Sequence, residues 1–261
     1  MVDVLQEERI GRVAVLTMNR PAQRNALDDE LMEAFAAAVE RASGDPAVGA
    51  IVILGSGAGF CAGGDIVNIR RKAAMEFDER VENMRRLQRG ALLLAASPKP
   101  VVAGVHGAAM GAGLSIALGC DFRVVARNAR LRTAFVGVGY SGDWGISWHL
   151  PRLVGPAKSR ELLMLDTELG GAEAEALGLV TQLVDEEAVR PAALALAARL
   201  AEGPGVALGY IKRNLHLAET AQLAQHLDQE AFHQVRAGRS DDHHEAVAAF
   251  MEKRPPRFTG R

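Results

Sequence analysis

One arrangement of residues occurs twice in this chain and limits the folds that the chain can adopt. It consists of a buried strand, a glycine-rich turn and then a helix. In the first copy the apolar run 50–54 leads to Ala62-Gly63-Gly64-Asp65, and in the second the run 100–105 leads to Met110-Gly111-Ala112-Gly113. Glycine suits a backbone that turns tightly or that another group approaches closely. Strands that alternate with helices in this way predict an α/β fold built from βαβ-type units.

The rest of the chain fits the same class. Residues 3–18 predict a hairpin, and Asp28 or Asp29 is a candidate N-cap for a helix that buries Leu31, Phe35 and Val39. Residues 66–96 and 206–253 read as mostly helical, and 120–125 and 131–138 read as strands. Residues 185–202 predict one helix, for which Asp185 is a plausible cap.

Composition limits the classes of protein to consider. The net charge of -2 over 261 residues gives no reason to expect nucleic acid or an anionic membrane surface as a partner. The two cysteines are too few for a disulfide framework or a cysteine zinc site. The apolar runs are interrupted well before the length of a membrane span, and no secretory signal is visible, so we expect a soluble, cytoplasmic protein without a metal.

The two glycine turns favour a particular kind of chemistry if they lie side by side. The first N–H groups of a helix lack partners within the helix and attract negative charge. Two turns that each offer one N–H to the same oxygen form an oxyanion hole, which stabilises an enolate or a tetrahedral intermediate. The alternative for either turn alone is ordinary strand-to-helix packing. Neither turn is a Walker loop, because no Gly-Lys-Ser/Thr follows it.

Taken together, these segments resemble the enoyl-CoA hydratase/isomerase, or crotonase, family. The first signature corresponds to 59–66 and the second to 100–113 followed by 118–121. Further matches run almost from end to end of the chain, at 24–27, 150–155, 176–180 and 250–254.

The resemblance implies a fold, a ligand and an assembly. The fold is a crotonase-like spiral of ββα units over residues 1–195, and residues 196–261 form a helical C-terminal region that supports trimerisation. The ligand is an acyl-CoA thioester, with coenzyme A as part of the substrate and no other cofactor. The assembly is a homotrimer or a hexamer, that is, a dimer of trimers.

The resemblance also assigns individual residues. It gives the two N–H groups that hold the thioester oxygen to Gly64 and Ala112, although glycine is the commoner residue at the second position. The residues that it places around coenzyme A are Arg24, Ala62, Gly63, Asp65, Ile66, Phe250 and Lys253. The last two would reach the coenzyme A of a neighbouring subunit, and their alternative is helix packing and a surface charge. Arg70, Arg71 and Lys72 are further candidates for phosphate contacts, or else a solvated helix face.

Two residues depart from the hydratase pattern. A hydratase of this family uses two glutamates to add water across the double bond, and the aligned positions hold Ser115 and Phe135. Phenylalanine has no exchangeable proton, and a lone serine is a poor acid or base at neutral pH. The two-glutamate mechanism therefore does not carry over to this chain.

Asp143 is the carboxylate left to carry acid–base chemistry. Counted back from 150–155, it aligns with a catalytic aspartate of some relatives. Trp144 and Trp148 would dry the site and raise the pKa of the carboxyl group. The alternative is that Asp143 caps the following helix.

These residues leave three functions open. The first is isomerisation of an unsaturated acyl-CoA, or a variant hydration with one acid/base and an ordered water, in which Asp143 transfers the proton. The second is a hydrolase or dehalogenase in which Asp143 attacks as a nucleophile. The third is a non-catalytic oligomer that binds acyl-CoA.

Four other features have plainer interpretations. The sequence predicts that His106 is a hydrogen-bonded core histidine. It predicts that Cys61 is a small buried side chain rather than a reactive thiol. Asp121 is interpreted as structural, and 241–244 as the solvated start of a helix rather than a metal site.

Overall fold

Two β-sheets form the framework of the chain. The computed structural model describes residues 3–261, and within that range there are nine strands. Their bounds are β1 Leu5–Ile10, β2 Val13–Met18, β3 Ala50–Gly55, β4 Val101–Val105, β5 Ala108–Met110, β6 Phe122–Ala126, β7 Arg130–Arg132, β8 Leu169–Gly170 and β9 Gln182–Val184.

The larger sheet has six strands in the order β1-β2-β3-β4-β6-β9. β1 and β2 form the predicted antiparallel hairpin, and every later neighbour in this sheet is parallel. Parallel strands are usually covered on both faces, which explains why β3 and β4 are continuous apolar runs rather than alternating ones. The smaller sheet has the order β5-β7-β8, and its first strand follows β4 directly along the chain.

Eleven α-helices lie within the described range of the chain. Their bounds are α1 Asp29–Gly44, α2 Ile66–Arg71, α3 Phe77–Leu87, α4 Arg89–Ala96, α5 Ala112–Gly119, α6 Ile146–Met164, α7 Gly171–Ala176, α8 Val189–Ala201, α9 Gly205–Ala218, α10 Leu223–Ala237 and α11 Asp241–Met251. Short 3-10 turns occur at Pro21–Gln23, Lys72–Ala74, Val136–Val138 and Glu186–Ala188. Within the described residues, no helix combines the length and apolar character that a membrane span needs.

α1 forms as the sequence predicts. The Asp28 carboxylate accepts a hydrogen bond from the Leu31 N–H at 2.9 Å, which satisfies one of the free donors at the helix start. The face that carries Leu31, Phe35 and Val39 is fully buried. α1 packs against α4 and β2, so this face supplies one side of the main core.

The core has two parts because the large sheet has two faces. α1, α5 and α6 contribute to the larger cluster on one face. α8 covers the other face with alanine and leucine side chains such as Ala193 and Leu196. Small side chains let this helix lie close to the sheet: a Cβ placed on Gly49 would lie 2.8 Å from the Ala201 Cα. This is the mixed α/β architecture, with a helical carboxyl-terminal region, that the sequence predicts.

Buried polar residues attach the carboxyl-terminal helices to the body. Lys212 of α9 donates to the Asp121 carboxylate at 2.9 Å and to the Leu94 carbonyl at 3.0 Å. Asp121 also accepts the Val101 N–H at 2.8 Å, which confirms its structural role. The Lys212 ammonium group is nearly buried and pairs with the Asp121 carboxylate. Removing either residue would leave the charge of the other without a partner.

The start of α11 differs in part from its prediction. Ser240 caps the helix through the His243 N–H, so a helix does begin there. Asp242, however, is only 1% exposed and accepts hydrogen bonds from the N–H groups of Thr259 and Gly260. The interpretation of 241–244 as a solvated surface is therefore wrong for Asp242, which fastens the carboxyl-terminal segment.

Two other elements begin or end differently from the sequence expectation. The strand predicted over 131–138 ends at Arg132, because Ala134 has a φ of 52° and donates its N–H to the Asp166 carboxylate at 2.7 Å. The helix predicted from Asp185 begins at Val189 after a 3-10 turn. The Asp185 side chain accepts no capping hydrogen bond, so the prediction that it caps this helix is wrong. Asp185 instead pairs with Arg127. The boundary predicted at residue 195 falls within α8 and stays a prediction.

Candidate active site

The two glycine turns lie side by side. The Cys61 N–H donates to the Ala108 carbonyl at 3.0 Å, and the Met110 N–H donates to the Cys61 carbonyl at 2.9 Å. These bonds pair the start of the first turn with β5, which leads directly into the second turn. The juxtaposition that the oxyanion-hole hypothesis requires is therefore present.

Glycine is required here because the two backbones touch. Gly63 has a φ of 90°, and a Cβ placed on it would lie 2.8 Å from the Met110 carbonyl oxygen. A Cβ on Gly113 would lie 2.6 Å from the Cβ of Cys61. Real Cβ atoms do not approach other atoms so closely, so larger residues would push the turns apart.

The Gly64 N–H points away from the pairing that holds its turn. The Gly63 carbonyl accepts the Leu27 N–H at 2.8 Å, and the Asp65 N–H donates to the Leu27 carbonyl at 3.0 Å. When the two neighbours of a residue are both hydrogen-bonded to the same adjacent strand, the N–H of that residue points away from the adjacent strand. No group within residues 3–261 accepts the Gly64 N–H, and the residue is exposed.

Ala112 offers a second unpaired donor. It is the first residue of α5, whose first N–H groups have no acceptor within the helix. The preceding Gly111 N–H donates to the Arg132 carbonyl at 3.0 Å, which fixes the turn, whereas the Ala112 N–H has no acceptor in the described part of the chain. Gly111 has a φ of 53°, which explains the glycine at that position.

Asp143 lies in a loop with unusual backbone geometry. Gly142, Trp144 and Gly145 have φ values of 117°, 50° and 80°. The Asp143 Oδ1 atom is buried and has no hydrogen-bond partner among the described residues. Burial raises the pKa of this carboxyl group to about 6.

Asp143 does not cap the following helix. The N-cap of α6 is Gly145, and the Asp143 group that accepts the Ile146 N–H, at 3.1 Å, is the backbone carbonyl. The capping alternative is therefore wrong, and the carboxylate is left without a structural partner at Oδ1. A buried carboxylate that makes no structural bond is a candidate for chemistry.

Ser115 connects the Asp143 loop to the second turn. Its side chain is 1% exposed, and its hydroxyl lies 3.1 Å from the Asp143 carbonyl oxygen and 3.2 Å from the Gly111 carbonyl oxygen. Burial raises the pKa of the Cys61 thiol in the first turn, and the Asp143 charge adds to that rise. The structure therefore brings Gly64, Ala112 and Asp143 into one neighbourhood.

Phe135 contributes a hydrophobic surface to the same neighbourhood. Its side chain is nearly buried, and its Cε1 atom would lie 3.9 Å from a Cβ placed on Gly111. An aromatic edge beside the second turn excludes water rather than supplying a proton.

The two tryptophans have different surroundings. Trp144 is buried and packs against Phe35 with ring centroids 5.9 Å apart, so it seals the loop beside Asp143. Trp148 is partly exposed, and the Arg152 guanidinium lies 4.0 Å from the centre of its ring. Trp144 is the tryptophan that the structure places in the core next to the carboxylate.

Most of the residues predicted to contact coenzyme A form one continuous region. The Arg24 carbonyl accepts the Ala62 N–H at 3.0 Å, so the Arg24 segment lies against the first turn, next to Gly63. The Arg24 side chain is exposed, and Ile66 is 72% exposed.

Asp65, Arg71 and Lys72 are bound within the protein, whereas the Arg70 side chain is exposed. The Asp65 carboxylate caps α2 by accepting the Val67 N–H at 2.9 Å and pairs with Arg20 at 3.1 Å. Despite partial burial, these donors hold the pKa of Asp65 below its ordinary value. Lys72 pairs with Asp29, and Arg71 donates to the Asn68 side chain at 2.8 Å.

Phe250 lies in the last turn of α11, and Lys253 follows the end of that helix. Both side chains are exposed, Phe250 at 82%. Their role toward a neighbouring subunit stays a prediction.

Three weaker candidates have structural roles. The Cys61 thiol is fully buried, and burial raises its pKa to about 12, so it is not a thiolate at neutral pH. His106 Nε2 lies 2.9 Å from the Gly57 carbonyl oxygen, so His106 is hydrogen-bonded as predicted. The prediction that it belongs to the core is wrong, because its side chain is only half-buried. Within residues 3–261 no group of three or more potential metal-binding side chains comes together.

Sequence reasoning missed the position of Asn25. Its side chain is fully buried and donates to the carbonyls of Ser56 and Gly59 at 2.8 and 2.9 Å, while its Oδ1 accepts the Arg20 N–H at 2.9 Å. Asn25 thereby joins two loops beneath the first turn. Its φ of 57° is a conformation that asparagine tolerates well, but one sequence does not show the carbonyls that surround it.

Comparison with known proteins gives a consistent result. The sequence matches the Enoyl-CoA hydratase/isomerase family over residues 8–261. It is 37% identical over 250 residues to the 1,2-epoxyphenylacetyl-CoA isomerase of Escherichia coli, covering 95% of each chain. It is 35% identical over 257 residues to the crotonyl-CoA hydratase of Syntrophomonas wolfei, covering 97% of each chain.

The fold matches as extensively as the sequence. The structure superposes on that of an enoyl-CoA hydratase from a Polaromonas species with a TM-score of 0.93 at 34% identity, covering 97% of this chain and 99% of the other. Both kinds of similarity extend over nearly the whole chain, and the family match spans the residues of both glycine turns. The protein therefore belongs to the enoyl-CoA hydratase/isomerase, or crotonase, family of acyl-CoA enzymes.

Proposed function

We propose that this enzyme isomerises an unsaturated acyl-CoA thioester, with Asp143 as the single acid and base. One observation carries the proposal: a buried carboxylate with a free Oδ1 atom and a pKa near 6 lies beside two turns that present unpaired N–H groups. A base in this range is largely ionised at neutral pH and still binds a proton well enough to return it.

The proposed reaction moves one proton between two carbons of the acyl chain. Ionised Asp143 removes a proton from the acyl chain, and the electron pair of the broken C–H bond passes into the conjugated system and onto the thioester oxygen. The N–H groups of Gly64 and Ala112 stabilise that negative oxygen. Asp143 then returns the proton to a different carbon, so the double bond moves and no atom is gained or lost.

Ser115 and Phe135 favour isomerisation over hydration. The relatives include both an isomerase and hydratases, so family membership alone does not choose the reaction. Hydration by the two-glutamate route needs one group for the water proton and one for the carbon, and the two aligned positions lack a carboxylate. A single carboxylate suffices for moving a proton between two carbons of one molecule.

The coenzyme A part of the substrate is proposed to lie along the exposed region formed by Arg24, 62–63, Asp65 and Ile66. The exposed Arg24 guanidinium is available to a phosphate, whereas Asp65 acts mainly by holding α2. Phe250 and Lys253 are proposed to reach the coenzyme A bound to a neighbouring subunit in a trimer or hexamer. No cofactor is proposed beyond the coenzyme A of the substrate.

The test is the Asp143→Asn variant assayed on a panel of unsaturated acyl-CoA thioesters. We expect turnover to fall by at least about 10³-fold while thioester binding stays within about threefold, because the amide keeps the shape but cannot accept the proton. Full activity in this variant would rule out the proposal.

A second readout separates the nucleophilic alternative. Mass spectrometry of enzyme quenched during turnover should show unmodified Asp143. An ester on Asp143 would replace the proposed isomerase with hydrolase or dehalogenase chemistry. Binding without turnover over the whole panel, for the unaltered enzyme, would instead identify a non-catalytic acyl-CoA-binding protein.

A further inference from the structure

We infer that Ser115 is a positioning residue that holds Asp143 and the Gly111–Ala112 peptide group in a fixed mutual arrangement. The inference rests on the proposed role of Asp143. It concerns the position where a hydratase of the family carries a glutamate, and it assigns that position a different task in this chain.

The first step is that the Asp143 carboxylate has little to orient it directly. Its Oδ1 atom makes no hydrogen bond within the described chain. Its direction must therefore come from the backbone that carries it and from packing. That backbone is unusual, because the next residue, Trp144, has a φ of 50°, which a bulky residue adopts only when the surroundings enforce it.

The second step is that two donors hold the Asp143 carbonyl. The Ile146 N–H lies 3.1 Å from it within the loop, and the Ser115 hydroxyl lies 3.1 Å from it on α5. A carbonyl oxygen has two lone pairs, so these bonds fill its capacity. The serine bond is the one that attaches this peptide group to α5, which begins at the second glycine turn.

The third step is that the same hydroxyl lies 3.2 Å from the Gly111 carbonyl, which also accepts the Ser115 N–H at 3.0 Å. That carbonyl belongs to the peptide group whose N–H is the Ala112 donor, so fixing one end of the planar group fixes the other. A hydroxyl carries one proton, and the two contacts share it. Ser115 thus links the proposed proton carrier to one of the proposed oxyanion donors.

Packing alone does not require a hydroxyl at this position. A buried helical serine can satisfy itself on the carbonyl four residues earlier, here Gly111. The contact with Asp143, 28 residues away, is the additional one. Catalysis depends on such arrangements, since a misplacement of about 1 Å can lower a rate by about 10²-fold.

The test compares Ser115→Ala with Ser115→Thr and with a matched control. Ser159→Ala removes another nearly buried helical serine, whose hydroxyl donates to the Pro156 carbonyl at 3.0 Å on α6. We expect Ser115→Ala to lower kcat by about 10- to 100-fold with KM nearly unchanged, and Ser159→Ala to leave kcat within about twofold. Ser115→Thr, which keeps the hydroxyl, should recover most of the lost kcat.

A pH profile distinguishes positioning from general destabilisation. A loosened Asp143 loop admits water, so the pKa of the carboxyl group should fall toward its ordinary value and the acid limb of kcat/KM should move to lower pH in Ser115→Ala. The limb should stay in place in Ser159→Ala. If Ser115→Ala does not fold, Ser115→Cys, with a weaker donor of similar size, replaces it and should lie between serine and alanine.

Two outcomes would overturn the inference, and they differ from failure of the proposed function. The inference fails if Ser115→Ala lowers kcat no more than Ser159→Ala does, or if the acid limb does not move while Asp143→Asn is inactive. The proposed function fails, and the inference with it, if Asp143→Asn retains full turnover.

Discussion

At the scale of single residues, the proposed site consists of groups that have no partner within the described chain. The Asp143 Oδ1 atom and the N–H groups of Gly64 and Ala112 make no hydrogen bond within the described chain. Unpaired polar groups lower stability when they are buried, so they persist where they serve a ligand or a reaction. Their neighbours, by contrast, are fully engaged in holding the two turns.

The pH dependence of activity follows from the raised pKa of Asp143. The base must be ionised, and the ionised fraction is lost as the pH falls through about 6. We expect kcat/KM to fall about tenfold per pH unit below that value. An aspartate at its ordinary pKa would keep activity down to about pH 4, and a profile of that form would contradict the assignment.

The same carboxylate should lower stability at neutral pH. Because its pKa is higher in the folded state than in the unfolded chain, its favourable contribution is complete below the unfolded value and is lost as the pH rises through about 6. Asp143→Asn should therefore raise the free energy of unfolding at pH 7.5 by about 1–3 kcal/mol, and by less at pH 4.5.

Denaturant melts of Asp143→Asn and Asp242→Asn measure this effect. Asp242 is buried but fully hydrogen-bonded to Thr259 and Gly260, so its substitution should destabilise the protein. Equal losses of stability in the two variants would show that Asp143 has a structural partner.

The close contact of the two turns gives a prediction at Gly63. Gly63→Ala should reduce the free energy of unfolding by about 2–5 kcal/mol, since it adds both a strained φ and a clash with the Met110 carbonyl. Gly178 has a φ of 78° with open space around it, so Gly178→Ala isolates the strain alone, about 1–2 kcal/mol. Chemical denaturation compares the two, and similar losses would mean that the turns are not in close contact.

At the scale of elements, the loop after β7 is where the sequence was least informative. Residues 131–138 are apolar enough for a strand, but Asp166 draws the Ala134 N–H away from strand geometry. The partner is 32 residues distant, so no local pattern shows it. The glycine turns were predictable because the close approach of two backbones requires glycine, and glycine is visible in the sequence. The link between Ser115 and Asp143 was not, because it joins a side chain to a backbone carbonyl.

One contact between elements gives a prediction for acyl-chain selectivity. The Arg80 guanidinium of α3 donates to the Tyr140 hydroxyl at 2.9 Å and so joins the α3 segment to the loop before Asp143. Tyr140→Phe should change the relative kcat/KM for short and long acyl chains by about threefold or more, with little loss of stability because the contact is exposed. Tyr210→Phe alters the chain's other tyrosine, which stacks on His233, and serves as the control. The prediction rests on the proposal that Asp143 reaches the acyl chain, which would bring the loop before Asp143 close to that chain. Unchanged relative kcat/KM values would show that this contact does not border the acyl chain.

At the scale of the whole molecule, apolar side chains stay exposed on the carboxyl-terminal helices. Those on α9, α10 and α11 range from 51% to 82% exposed, and they are Ile211, Leu215, Leu223, Leu227, Phe232, Val235, Val247, Phe250 and Met251. Such surfaces usually mark contacts between proteins.

The general course of these helices was predictable from the sequence, whereas the buried anchors Lys212 and Asp242 were not, because lysine and aspartate are normally exposed.

The exposed apolar surface predicts an assembly. The number of copies comes from the family resemblance, which implies a trimer or a hexamer, so light scattering coupled to size exclusion should give three or six copies of the 27.8 kDa chain. Phe250→Asp should shift the population toward smaller species, because it places a charge in an apolar contact, while Phe77→Asp, at an equally exposed phenylalanine of α3, should not. A monomer that remains fully active would contradict the proposed contribution of Phe250 and Lys253 from a neighbouring subunit.

Asp143 is proposed to move a proton on a thioester whose oxygen lies between the two turns. NMR of an unsaturated acyl-CoA incubated with the enzyme in D₂O tests this step, because it follows both the position of the double bond and the deuterium bound to carbon. With the unaltered enzyme the double bond should move. With Asp143→Asn it should stay in place and no deuterium should appear at carbon, although that variant still binds the thioester. Movement of the double bond at an undiminished rate in Asp143→Asn would show that Asp143 does not carry the proton.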